Sequence, residues 1–288
     1  MRLYELTQYK AASENVLVEG GSMPGVGAIH IDEIDPTLIP LEKELDIDLR
    51  NNTLGSVGKR EFSGDIDVAL KIDTDDLPTF IKKLENSPQI LGVAKSSVIM
   101  TKVKISNFDK SKEDGRPRTG YVQVDFMPGD PDWMKTYYHS PNEKDSQYKG
   151  VYRNILIASI AGQYKIVNSE ETIEDGRPVS SERFMWSPRD GLVRVTRTPV
   201  PKKNGDGYTQ KNNNKIIGGP WKTADDIAKN LGLDNSEDLY SYETLSKVIK
   251  KNMSEKEQSD IFTAFVNNHT IKGMGIPPDI QEYSKGEL

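Results

Sequence analysis

Two short stretches of this chain alternate apolar and polar residues, the pattern of strands with one buried face, and together they put three aspartates on the other face. In Asp65-Ile66-Asp67-Val68-Ala69-Leu70-Lys71-Ile72-Asp73, the residues Ile66, Val68, Leu70 and Ile72 share the even face, while Asp65 and Asp67 share the odd one. In Tyr121-Val122-Gln123-Val124-Asp125-Phe126 the even positions are apolar again, and Asp125 stands with Tyr121 and Gln123. If the two strands are neighbours in a sheet packed on one side, three carboxylates converge over its solvated face, where only cations relieve their repulsion. The pattern therefore predicts a metal site built on a sheet.

Paired acids alone carry little weight, because 44 acidic residues in 288 give about seven pairs two apart by chance. Glu33 and Asp35, Asp46 and Asp48, and Asp73 and Asp75 are such pairs, read as solvated faces or turns. Asp65 and Asp67 are set apart by what precedes them: Thr53-Leu54-Gly55-Ser56-Val57-Gly58-Lys59, then Ser63-Gly64 directly before the acidic strand. A turn without a Cβ lets backbone N–H groups approach a phosphate closely, and a short hydroxyl donates one more hydrogen bond. Gly55, Ser56 and Ser63 are therefore candidate phosphate contacts. Lys59 and Arg60 either pair with that phosphate or belong to a solvated turn.

The order Gly55-Ser56, then Asp65-Ile66-Asp67-Val68, then a lone Asp125 in a later strand resembles the DNA polymerase β type of nucleotidyltransferase. The resemblance covers roughly residues 36 to 165. It implies an α+β fold with a polymerase β-like nucleotidyltransferase core, a mixed twisted sheet with covering helices. Gly55 and Ser56 would hold a nucleoside triphosphate, with Lys59 and Ser63 as the further candidate contacts named above. Asp65 and Asp67 would each bind two divalent ions, Mg2+ or Mn2+, and Asp125 would complete the site for the ion that activates the attacking hydroxyl. The wider text, with Gly20-Gly21-Ser22-Met23 and Ile29-His30-Ile31 ahead of the acidic strand, looks like nucleotidyltransferase-like proteins of tailed phages.

The residues suit this chemistry independently of the resemblance. Nucleotidyl transfer asks a protein mainly for positioning and charge neutralisation along an in-line displacement, which two ions about 4 Å apart provide. Magnesium prefers carboxylates, water and substrate phosphate to a complete protein cage, so three aspartates suffice. Other chemistries lack residues. The chain has no cysteine, which excludes thiol catalysis, disulfides and cysteine-type zinc sites. Its three histidines, His30, His139 and His269, lie far apart in sequence. Gly58-Lys59-Arg60 lacks the Ser or Thr of a Walker loop, and the glycines from Gly20 to Gly27 fail the dinucleotide fingerprint, reading as a connector or a substrate-facing loop.

The net charge of -6 and mean hydropathy of -0.62 predict a polar, soluble protein. The longest apolar run, Ile155-Leu156-Ile157-Ala158, is too short to span a membrane, and the start shows no secretion signal. The cytoplasm is the expected location, that of the host for a phage protein.

The expected organisation is a glycine-rich extension over 1–35, a catalytic domain over 36–220 with a basic hairpin and loop at 184–220, and a small helical domain over 221–288. A helix should open at Asp35-Pro36 with Leu38, Leu41 and Leu45 buried, followed by a strand from Leu49 to Leu54. Leu77 to Asn86 reads as a helix, Ser97 to Ser106 as a strand, and Val151 to Tyr164 as a helix covering the sheet. Phe184-Met185-Trp186 and Leu192 to Thr198 read as a hairpin, Pro199 to Pro220 as a loop. Between Arg189 and Lys222 stand eight Lys or Arg against two Asp, with Tyr208 and Trp221 interleaved. This segment either tracks a nucleic-acid backbone or is a solvated loop. Ser254 to Glu257 has the capping-box form, and residues 267–288 read as a fraying tail.

The expected function is transfer of a nucleotidyl group from an NTP to a hydroxyl, foremost on an RNA end. A protein or small-molecule acceptor is the alternative, as is a non-catalytic, nucleic-acid-binding or structural viral protein.

Overall fold

The computed structural model describes residues 23–96, 98–163, 181–201, 208–271 and 275–286. The fold is α+β with an open mixed sheet. The chain divides into two compact units, one ending at Lys135 and the other beginning at Thr136. That division falls inside the segment 36–220 expected to be a single domain, and groups the hairpin with the C-terminal helices.

In the first unit a short strand, β1 (Ile29–His30), leads directly into α1 (Ile31–Leu45). The expected start at Asp35-Pro36 is corrected. His30 is the N-cap: its Nδ1 accepts from the Asp32 N–H at 3.1 Å, while the Glu33 carboxylate accepts from the His30 N–H at 3.0 Å. With the first turn capped there, Pro36 and Pro40 fall inside the helix, where each lacks the N–H of the helical ladder. Burial of the stripe Ile34, Leu38, Leu41 and Leu45 offsets that loss, at about 1.5–3 kcal/mol for each fully buried aliphatic side chain.

The strand expected over Leu49 to Leu54 is a 3-10 turn at Arg50–Asn52 instead. Glu42 imposes it: its carboxylate accepts from the Leu49 and Arg50 N–H groups at 2.9 and 2.8 Å and from Arg50 Nε at 2.7 Å. A short β2 (Phe62–Ser63) pairs with β1. The main sheet contains β3 (Ile66–Leu70), β4 (Ile90–Lys95), β5 (Ile99–Lys104) and β6 (Tyr121–Pro128), in the order β3-β6-β5-β4. The β3–β6 pair is parallel and the others antiparallel. Between β3 and β4 lies α2 (Leu77–Glu85), which buries Phe80 and Leu84. The helix expected from Leu77 is present as α2, and the strand expected within 97–106 is present as β5, whereas β4 lies outside those expectations.

One face of this sheet, carrying Ile66, Val68, Val122, Val124, Phe126, Ile99 and Val103, joins the α1 stripe and the α2 residues in a single apolar core. A second device fixes α1 to the loop before β6. Arg118 donates to both oxygens of Glu33, at 2.9 and 2.7 Å, and to the Ala28 and Asp109 carbonyls, each at 2.9 Å.

The helix α3 (Pro131–Tyr137) spans the division. In the second unit, α4 (Gly150–Gln163) is the helix expected from Val151, and it packs on β7 (Ser181–Ser187) and on the last helix. The hairpin of β7 with β8 (Gly191–Pro201) is present as expected. The expected loop from Pro199 to Pro220 is largely a third strand, β9 (Tyr208–Trp221), antiparallel to β8; residues 202–207 lie outside the described ones.

Three further helices follow, α5 (Ala224–Asn230), α6 (Tyr242–Asn252) and α7 (Glu255–Ile271). Ser254 and Glu257 form the expected reciprocal cap, and Ile261, Phe262, Phe265 and Val266 are buried. The tail is not frayed where it is described. Residues Pro278–Gly286 form a 3-10 segment whose Asp279 accepts from Tyr242, Ser246 and Lys250, at 2.9, 2.8 and 2.9 Å, and whose Ile280 is fully buried. Among the described residues no helix is long and apolar enough to cross a membrane.

Candidate metal centre

Parallel pairing of β3 and β6 sets Ile66 opposite Val124 and Asp67 opposite Asp125. Ile66 and Val124 are fully buried, so the alternation turns both aspartates to the opposite face. Asp65 lies directly before β3 and joins them. One carboxylate oxygen from each of the three lies within 4.8 Å of the others, a group that can hold a metal ion.

The electrostatics are those of like charges held together. Burial, then the charges of Asp65 and Asp125, raise Asp67 to a pKa of about 7. Burial raises Asp125 to about 6, with Asp65 adding to the rise and a hydrogen bond from Gln123 opposing it. An all-oxygen donor set whose members resist ionising together is suited to a hard divalent cation, which favours the charged form of each.

The glycine-serine turn is tied to this cluster through the backbone. Thr53 bridges to Val68, and the Leu54 N–H donates to the Asp67 carbonyl at 2.9 Å. Gly55 and Ser56 follow immediately. Gly55 has φ +65° with open space where a Cβ would point, so backbone conformation rather than crowding calls for glycine. Lys59 is half-buried, and its N–H closes the turn on the Ser56 carbonyl at 3.1 Å. Ser63 is placed differently: it sits in β2, is 4% exposed, and its hydroxyl has no hydrogen-bond partner among the described residues. Of the two serines, Ser56 is the one partly open to solvent.

Alternation puts Gln123 on this face beside Asp125 and by itself gives it no role. Gln123 is 3% exposed, and its Nε2 donates to the Asp125 carboxylate at 2.9 and 3.1 Å. Its Oε1 accepts from the Met23 N–H at 3.0 Å. The segment from Met23 to Gly27, part of the glycine-rich connector, is thereby laid on the carboxylate-bearing face. Lys102, paired in register with Gln123, donates to the Pro24 carbonyl at 3.1 Å, and the Gly27 N–H donates to the Tyr121 carbonyl at 2.8 Å. A Cβ on Gly27 would stand 2.4 Å from the Pro117 carbonyl oxygen, so the approach requires glycine. Gly20 to Ser22 lie outside the described residues. The one signal for Gln123 in the sequence was its spacing, two residues before Asp125.

No protein-family model matches the chain, and no curated protein matches it.

Proposed function

We propose that the chain is a metal-dependent nucleotidyltransferase, moving a nucleoside monophosphate from an NTP to a hydroxyl acceptor with release of pyrophosphate. The observation that carries this reading is the convergence of Asp65, Asp67 and Asp125 beside a glycine turn tied to Asp67 by one backbone hydrogen bond. The three aspartates would hold divalent ions, Mg2+ or Mn2+, which when bound neutralise triphosphate charge and favour ionisation of the acceptor hydroxyl. The chain supplies the rest. Gly55 and Ser56 bind phosphate oxygens, with N–H groups approaching over a position that lacks a Cβ. Asp67, the second residue of β3, sets the distance between the phosphate turn and Asp125. Asp125 orients the acceptor hydroxyl by accepting its hydrogen bond at a carboxylate oxygen.

The acceptor is proposed to be a nucleic acid, foremost an RNA end. The support is the charge of 189–222, eight Lys or Arg against two Asp in a protein of net charge -6, on a segment largely contained in β8 and β9. The same observation favours a second reading, a nucleic-acid-binding protein without turnover. Incubation of the protein with each α-labelled NTP, magnesium or manganese, and RNA, DNA and protein acceptors separates the two. Label transferred by the wild type and lost in the Asp65→Ala, Asp67→Ala double variant supports the enzyme. Salt-sensitive RNA binding with no metal-dependent NTP binding overturns it in favour of the second reading.

A further inference from the structure

Gln123 has both ends of its amide committed. Its N–H2 group reaches both oxygens of Asp125, and its carbonyl is held by the backbone N–H of Met23. The amide cannot turn over without placing its carbonyl against the carboxylate and its N–H2 against another donor, so the Met23 N–H fixes which way it faces. Burial at 3% exposure leaves water little access to substitute for either contact. The Met23 end is fixed in turn: the adjoining Pro24 and Gly25 carbonyls accept from Lys102 and from the Thr119 hydroxyl, each at 3.1 Å. A continuous chain of hydrogen bonds thus runs from the Met23–Gly27 strap to one of the three carboxylates.

We infer that Gln123 is a positioning residue that transmits the hold of the Met23–Gly27 strap to Asp125, orienting that carboxylate for a divalent cation. The inference rests on the metal reading above. Partners that hydrogen-bond a metal-binding carboxylate fix its orientation, and removing one typically weakens metal affinity about 10–100-fold. Met23 adds no side-chain ligand; its contribution is a single N–H. The strap, remote in sequence from all three aspartates, therefore becomes part of their site.

The test is titration of the full-length protein with manganese alone, following free Mn2+ by electron paramagnetic resonance. Wild type is compared with Gln123→Met, which keeps side-chain length and removes the hydrogen bonds to Asp125 and from Met23, and with Met23→Pro, which removes the N–H together with the methionine side chain and leaves Gln123 in place. Gln123→Met should weaken Mn2+ binding about tenfold or more, and Met23→Pro should weaken it by a smaller factor. In an Asp125→Asn background Gln123→Met should cause no further loss, because the group it positions is gone. Wild-type affinity in either single variant overturns the inference. An equal loss from Gln123→Met in both backgrounds overturns it too, showing that Gln123 acts on the fold and not through Asp125. If circular dichroism shows Gln123→Met unfolded, Met23→Pro alone decides. A wild type that binds no Mn2+ overturns the metal reading together with the inference, whereas a binding wild type with indifferent variants overturns the inference alone.

Discussion

Glu33 and Asp67 are carboxylates withdrawn from solvent in the same unit, and their surroundings push them in opposite directions. Burial raises Glu33, but the Arg118 guanidinium together with the N–H groups of Asp109 and His30 outweighs it, leaving the pKa below the usual value. Burial also raises Asp67, and there the neighbours are two more carboxylates, which raise it further, to about 7. The contrast shows what the fold supplies where a charge serves the architecture. Glu33 caps a helix and joins α1 to the loop before β6, and every lone-pair direction it offers is met by a donor. At Asp125 the donor is a neutral amide, that of Gln123. Carboxylates that burial and one another's charge hold above their ordinary pKa are the physical argument for a cation.

The largest test of this contrast is to break the satisfied side. With Arg118 and Glu33 side chains 4% and 2% exposed, Arg118→Met should destabilise the protein by about 3–5 kcal/mol in urea unfolding, because it strands a buried carboxylate. A change near zero would mean that Glu33 is not held as an ion.

The next test is pH. Asp67 has a folded pKa of about 7 against an ordinary 3.8, so the folded metal-free protein holds a proton that the unfolded chain has lost. That contribution is fully present below 3.8 and is lost as pH rises through about 7. Glu33 has the opposite sign: its lowered pKa gives stability above the ordinary 4.5 that is lost as pH falls. Between pH 5 and 7.5 the aspartates should dominate, and stability should fall by roughly 3 kcal/mol at about 1.4 kcal/mol per pH unit for one proton. Differential scanning calorimetry with a chelator present should show a declining melting temperature, and a rising one would reverse the argument.

Asp67→Asn should then stabilise the metal-free protein by about 2 kcal/mol at pH 7.5, less than the full effect of the repulsion because the amide is still desolvated. The gain should shrink at pH 5. Millimolar manganese should raise the melting temperature of the wild type and not that of the variant, and an equal rise in both would remove Asp67 from the site. The smallest effect is expected at Gly55. At φ +65° an alanine costs about 1 kcal/mol of unfolding free energy, with no clash to add to it. An effect of 3 kcal/mol or more would show that the turn is under constraints beyond its own backbone.

Much of the candidate site was legible because Ile66 and Val68 in β3 and Val122, Val124 and Phe126 in β6 alternate with the aspartates, those apolar residues fully buried and the aspartates on the far side. That the two strands are neighbours is a condition the sequence leaves open, and the parallel register meets it. Less legible were elements whose signals compete. Pro36 looks like a first helical position, yet histidine, an unusual cap, starts α1 earlier. Leu49-Arg50-Asn51-Asn52-Thr53-Leu54 is framed by leucines, yet its two asparagines favour a turn, and one carboxylate, Glu42, fixes it, a contact seven residues away that no local pattern announces. In β4, Ile90-Leu91-Gly92-Val93-Ala94-Lys95 lacks alternation, and in β9 the run Asn212-Asn213-Asn214 has poor strand propensity and falls at a register shift, so pairing of β4 with β5 and of the residues flanking that run with β8 decides both. The strap's hold on Gln123 spans 100 residues and left no trace beyond a glutamine two places before an aspartate.

The register of β3 against β6 also governs which changes of length this chain can accept. Losing or gaining one residue in β3 while keeping its pairing would exchange the positions of Asp67 and Val68, sending a carboxylate into the apolar core and a valine to the site. A change of two residues would restore the faces but carry Asp67 about 7 Å along the strand, farther than the 4.8 Å over which the three carboxylates meet. Point substitutions can be graded by what they remove. Insertions and deletions in β3 admit no such grading, and the spacing from Asp65 to Asp67 is fixed by geometry to a single value.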